Sequence, residues 1–537
     1  MKPLARSRPA ERGHAQSVLQ TAGRTGFGMR TWIAGLLLSL TTAAAGAADW
    51  YRAESPNFRL LARASRSMTQ EKLQDLERLH QAMLLTLGVT QSLVRSPFPI
   101  VMSDDPEMIG RVVPHLRNRQ LAGLFVPRAD GSQAFVFNDR RANSEFTGKV
   151  IFHEYAHRVM AQYARISYPV WYVEGFAEYF GSTVIEDDAV VIGAGNQSAE
   201  ILARRPWLDA ARLLNPKFHS TGQQDIDDSN FQVFYAQSWL LTHYVLSKSD
   251  RTQRFNEYFR RVAAGEDPIA TLEPATGISP LKLNSELRRH LDNTYSASIP
   301  NKALQAVTVR VTEVATEEAE AELDAMIIVT RPEAEHGKQV LQRLRERVKK
   351  AGGERAPDTM RWALAYGEIR YGEAEKALEI LSPWAQMDAP PFEANRLLGW
   401  AWQTQAAHAT GADRTQAHEQ ARAFLVAAYK QRRNDAPTLY QLAQVLSQKG
   451  LSPSLTNAAD AANVLEPQVG EYAYLAIWVH LQDGNRDKAR RGLESLANNP
   501  HGGESTERAR AALQALQSNQ EVSQVLALLN GSKKPTP

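Results

Sequence analysis

A chain of 537 residues with 62 basic against 59 acidic side chains, net charge +3, offers no electrostatic case for nucleic acid. Its 43% hydrophobic and 23% charged content is that of a globular protein with room for roughly two to four domains. The lack of cysteine excludes disulfides, thiolate zinc sites and cysteine nucleophiles.

Arg30 precedes an uncharged stretch, 31–48, with the apolar heart Trp32-Ile33-Ala34-Gly35-Leu36-Leu37-Leu38-Ser39-Leu40. Ala45-Gly46-Ala47 fits an A-x-A cleavage site, so residues 1–48 read as a signal peptide with an N-terminal extension, started at Met1 or Met29. An uncleaved membrane anchor is the alternative, disfavoured by the Thr/Ala-rich second half. The expectation is an exported protein, periplasmic or secreted, with no stable membrane span after cleavage.

Further along, Phe58-Arg59-Leu60-Leu61 reads as a strand and Gln70 to Leu87 as an amphipathic helix closed by Gly88. Pro99 to Met102, Gly123 to Val126 and Ala134 to Asn138 read as strands, the last entered through the turn pair Asp130-Gly131. A helix follows, with Ser144 as N-cap and the stripe Val150, His153, His157, Met160, Ala161 and Ala164, which puts both histidines on its inward face. Pro169 limits it, and a second short helix carries Glu174 and Glu178 before Gly181. Thr183 to Glu186 and Val190 to Gly193 read as a hairpin across Asp187-Asp188, and Phe231 to Leu246 as a long helix.

Pro300 and the strand-like Val307 to Val311 mark a break, so residues 301–316 read as a linker between a first domain, 49–300, and an all-α region, 317–530, with a disordered tail at 531–537. The second half repeats itself. Tyr440-Gln441-Leu442-Ala443 returns as Tyr474-Leu475-Ala476-Ile477, and Gln448-Lys449-Gly450 as Gln482-Asp483-Gly484, each at an offset of 34, the tetratricopeptide (TPR) period. Looser units start at Leu364-Ala365-Tyr366-Gly367 and at Leu397-Leu398-Gly399-Trp400, the latter lengthened by an insertion from Ala406 to Thr415.

The chemistry concentrates in His153-Glu154-Tyr155-Ala156-His157, an H-E-x-x-H segment. On a helix its imidazoles lie four residues and about 40° apart, able to share one zinc ion with Glu154 beside the metal as proton acceptor. Glu174, in Trp171-Tyr172-Val173-Glu174-Gly175-Phe176-Ala177-Glu178, offers a third ligand and leaves a fourth position for water.

These two segments together resemble the gluzincin zinc metallopeptidases, in particular bacterial peptidase-MA-like proteins. The Glu-Gly-Phe-Ala signature is similar to that of zinc aminopeptidases. The resemblance covers roughly Trp50 to Asn293. It implies an α+β, thermolysin-like fold ahead of the TPR-like solenoid, one Zn²⁺ ion held by His153, His157 and Glu174, and a peptide or protein substrate. It also implies that Glu178 orients His153 and that Tyr235, in Phe234-Tyr235-Ala236-Gln237-Ser238, supports the oxyanion, although Gln237 and Ser238 depart from the aminopeptidase pattern. His243 is a second candidate donor. Ala134 to Asn138 corresponds to the edge strand on which gluzincins lay extended substrate. No Gly-Ala-Met-Glu-Asn segment is present, which favours endopeptidase action or another specificity. The rival reading is a non-catalytic TPR scaffold carrying an inactive peptidase-like domain. In either reading the repeats offer a surface for a protein partner.

Overall fold

The computed structural model describes residues 50–90, 93, 95–114, 123–137, 144–163, 166–215, 228–497 and 504–531. The signal segment, Ala164, Asn138, residues 532–537 and the Ser144 side chain lie outside them.

Six strands form one sheet. They are β1 (Trp50–Glu54), β2 (Phe58–Arg63), β3 (Phe98–Ser103), β4 (Gly123–Val126), β5 (Gln133–Phe137) and β9 (Arg310–Val314), in the order β4-β5-β3-β2-β1-β9. β2-β3 and β3-β5 are parallel, and the other pairs are antiparallel. A smaller sheet joins β6 (Val184–Ile185), β7 (Ala189–Ile192) and β8 (Ala297–Pro300). Helices of the first half are α1 (Arg66–Leu87), α2 (Met108–Val112), α3 (Ser144–Tyr163), α4 (Val170–Gly181), α5 (Asn196–Arg204), α6 (Ala210–Leu213), α7 (Asp228–Leu246), α8 (Ser249–Ala263), α9 (Pro268–Thr276) and α10 (Pro280–Leu291).

The second half is helical throughout: α11 (Thr316–Val329), α12 (Ala334–Lys350), α13 (Asp358–Tyr371), α14 (Ala374–Ala385), α15 (Phe392–His408), α16 (Gly411–Gln431), α17 (Ala436–Ser447), α18 (Pro453–Leu465), α19 (Gly470–Gln482), α20 (Arg486–Ala497), α21 (Glu504–Gln517) and α22 (Val522–Asn530). Each packs on its successor. The 34-residue offset falls on α17 and α19, and Gly450 and Gly484 behind them share a left-handed backbone, φ +88° and +75°. Residues 406–415 lengthen their unit through its helices. They extend α15 and begin α16, which makes this pair longer than its neighbours.

Several boundaries move for local reasons. α1 starts at Arg66 because Ser65 caps it, accepting from the Met68 backbone N–H, and Gly88 closes it at φ +67°. β1 escapes the alternation rule because Trp-Tyr-Arg-Ala-Glu has no clear apolar period. The strand expected at 307–311 runs from 310 to 314 instead, since its partner β1 selects the five residues that pair. The stretch 301–316 is therefore not a free linker: it holds the edge strand of the main sheet.

Side chains alternate across that sheet. Leu60, Ile100, Met102, Ala134 and Val136 enter a core shared with α1, α3, α4 and α7. Trp50, Leu61, Val101, Phe135 and Val314 enter a second core with α2 and α11–α15. Both faces are covered, which explains the unbroken apolar runs of β2, β3 and β5. The helical half thus packs directly on the sheet.

Candidate metal centre

α3 is held on two sides, and this decides where its histidines point. Phe152, Tyr155, Ala156 and Val159 are buried in the first core, while His153 and His157 are half-buried on the flank facing α4. α3 therefore has two inward faces, the Phe152–Val159 stripe in the first core and the histidine stripe against α4. A helix packed on both a sheet and another helix has two inner faces, and spacing alone does not separate them.

Small residues let α4 come close enough to reach them. A Cβ on Gly181 would stand 3.1 Å from His153 Cβ, and one on Gly175 would stand within 3 Å of the Ser238 carbonyl of α7 and of Thr242 Oγ1. Glu174, fully buried, is thereby carried to the histidines between α3 and α7.

The donor atoms form a small triangle. His153 Nε2 and His157 Nε2 are 3.1 Å apart, and Glu174 Oε2 is 3.7 Å from the first and 3.5 Å from the second. A tetrahedral zinc ion with ligands at 2.0–2.2 Å needs donors separated by roughly 3.3–3.6 Å. Two imidazole nitrogens and one carboxylate oxygen at these spacings fit that ion in both chemistry and size.

Glu178 Oε1 is 3.1 Å from His153 Nδ1, and its other oxygen is 3.4 Å from Lys149 Nζ. A proton on Nδ1 leaves the Nε2 lone pair facing the triangle. Burial opposes a charged His153 ring, but the hydrogen bond to Glu178 and the charges of Glu178, Glu154 and Glu174 outweigh it and raise its pKa to about 9. Burial likewise works against the Glu178 carboxylate, yet His153 and Lys149 hold it below the usual range.

Glu154 is half-buried, next to His153 on α3, and its charge acts on both the His153 ring and the Tyr235 hydroxyl. The Tyr235 ring lies 6.2 Å from that of His153, and burial followed by Glu174, Glu178 and Glu154 pushes its hydroxyl pKa far up, keeping it protonated. A cleft of about 390 Å³ opens alongside, lined among others by Lys149, Glu178, Ile201, Phe231, Gln232 and Tyr235. Lys149 escaped the sequence reading, and the helix-crossing role of Gly175 and Gly181 shows only in the packed helices.

His243 does not join the site. Its Nδ1 is 2.9 Å from His290 Nε2 and its Nε2 is 2.9 Å from the Tyr295 carbonyl oxygen. Gln237 is occupied with the Leu208 backbone and Asn284. The strand nominated as an edge, β5, is interior, because β4 pairs with its outer side and forms the edge.

A family model described as "Protein of unknown function (DUF1570)" matches residues 149–270, a stretch that contains all six candidate site residues. No curated protein matches the chain. Among solved structures, a thermophilic TPR protein of Thermus thermophilus is similar over 38% of this chain and 100% of its own, at 16% identity and a TM-score of 0.31.

Proposed function

We propose that this chain is an exported zinc-dependent metallopeptidase of the gluzincin, thermolysin-like kind, with a TPR-like helical half. The observation that carries the reading is the convergence of His153, His157 and Glu174 donor atoms, with the Glu154 charge acting on His153. His153, His157 and Glu174 would hold one zinc ion. When bound, the ion supplies Lewis-acid chemistry, polarising the scissile carbonyl and acidifying water. Glu154 accepts the proton of the attacking water and delivers it to the leaving amine nitrogen. The Tyr235 hydroxyl donates to the developing oxyanion. Glu178 keeps the proton of His153 on Nδ1.

Export and a periplasmic or secreted location rest on the apolar stretch 31–48 and Ala45-Gly46-Ala47. Among the described residues no helix is long and apolar enough to cross a membrane. A protein partner would meet the helical half on helix surfaces away from the sheet, since α11–α15 are already packed against it.

The test is metal content of the purified chain with peptide hydrolysis by wild type and Glu154→Gln. One zinc per chain in both forms, with turnover in the wild type only, is expected. A wild type that holds no zinc would leave the non-catalytic scaffold, and equal hydrolysis by both forms would remove Glu154 from the mechanism.

A further inference from the structure

The two halves meet close to the metal-site helix. The β4–β5 turn enters the helical half, where Asp130, its side chain 2% exposed, meets Arg331, Arg370 and the Tyr366 hydroxyl. Ala129 is buried among Ala436, Leu439, Ala443 and Tyr472, and its carbonyl accepts from Tyr472 Oη at 2.8 Å. One residue of the helical half reaches further. Glu466, in the turn between α18 and α19, accepts from Ser132 Oγ in the β4–β5 turn and from Arg158 Nη2 at 3.0 Å on α3.

Arg158 directly follows His157. Its side chain is 4% exposed and lies over the Phe98 ring, 4.6 Å from the centroid. A second guanidinium stands near: burial and the charge of Arg158 lower the Arg95 pKa to about 10, and Glu466 is among the charges that oppose this. Glu466 is therefore the countercharge of a buried arginine adjacent in sequence to a candidate ligand. Removing one member of such a pair leaves the other uncompensated, and the helix bearing it has reason to move. Donor atoms 3.1–3.7 Å apart tolerate little movement, because a metal site loosens with displacements of about 0.5 Å.

We propose that Glu466 is a positioning residue for the metal centre, through which the helical half keeps His153 and His157 in register with Glu174. Its chemistry rests on the metallopeptidase reading above. In the full-length protein, zinc affinity is measured by competition with a chromophoric chelator, and hydrogen exchange is followed over residues 150–163. Glu466→Gln weakens zinc binding about tenfold or more and speeds exchange in α3, and Glu466→Asp recovers most of both. Asp324→Asn is the control: it breaks the buried pairing with Arg343 and Arg347 on the opposite side of the sheet, and it lowers thermal stability without changing zinc affinity. If Glu466→Gln does not fold, Arg158→Lys, which keeps the charge but loses the guanidinium contact to Glu466, is measured in its place and carries the same expectation. The proposal is overturned by zinc affinity and α3 exchange that match wild type, or by an equal loss of affinity in Asp324→Asn. Wild type without zinc sinks the metallopeptidase reading as well, whereas wild type with zinc and an indifferent Glu466 variant sinks this proposal alone.

Discussion

Glu178 and His153 are joined one turn beyond the third donor: Oε1 of the glutamate lies 3.1 Å from Nδ1 of the imidazole. One helical turn separates Glu174 from Glu178, so a single helix presents one carboxylate to the donor triangle and another to the back of its first histidine. Glu178→Gln keeps the shape and loses the charge. Zinc affinity is expected to fall about 10- to 100-fold, as for other outer partners of metal-bound histidines. Chelator competition reads this directly, and an unchanged affinity would show that the contact does not orient the ring.

Gly175 is expected to reject any side chain. An added Cβ would meet the Ser238 backbone rather than a flexible tip, so α4 and α7 must separate. Gly175→Ala should cost about 1–3 kcal/mol as overpacking and displace Glu174 from the histidines. Gly88 meets nothing within 4 Å but has φ +67°, so Gly88→Ala should cost only about 1 kcal/mol of backbone strain and leave zinc binding intact. Urea unfolding with parallel zinc titration separates the two.

Acid should destabilise the fold through His80. Its ring is buried, its Nδ1 is 2.7 Å from the Tyr155 hydroxyl, and burial, with Arg95 and Arg158, lowers its pKa to about 4. The unfolded chain takes up that proton near pH 6.5 and the folded one only near 4. The stability is therefore complete above pH 6.5 and declines toward pH 4, by at most about 1.4 kcal/mol per pH unit. His80→Gln, which does not titrate, should flatten the urea-midpoint profile between pH 6.5 and 4. A profile as steep as wild type would place the acid sensitivity elsewhere, for example at His290, which burial and His243 lower to about 3.

Asp130 should be costly to remove. Asp130→Ala leaves Arg331 and Arg370 without their shared carboxylate and frees the Tyr366 hydroxyl. Breaking a buried pair costs about 3–5 kcal/mol, and the low end is expected because the Arg331 side chain is 37% exposed. Equilibrium unfolding measures it. A change below about 0.5 kcal/mol, the range of ordinary surface substitutions, would show that the turn is not anchored there.

Much of the site was legible in the chain because its parts are local. His153 and His157 are one turn apart on a helix, and Glu174 and Glu178 one turn apart on the next, so the H-E-x-x-H spacing nominated the histidines, and the motif around Glu174 with its family resemblance nominated the two acids. The repeat offset of 34 was legible for the same reason, since each unit carries its own helix pair and turn glycine. What spacing could not provide was distance across the fold. The pairing of β9 with β1 joins residues some 260 apart, and no local pattern marks which five residues will pair. Likewise, nothing around Lys149, Glu466 or Asp130 in sequence announces a partner.

By itself, then, the sequence determined the donor types, their helical phase and the division into an α+β half and a helical half. Tertiary structure decided that the halves share the sheet as a common core, that the histidines face α4 rather than the sheet, and that His243 turns to His290 instead of the site. The physical reason is the range of the forces involved. Backbone propensity and side-chain periodicity act over a few residues, whereas burial and charge compensation act between whatever surfaces the folded chain brings into contact.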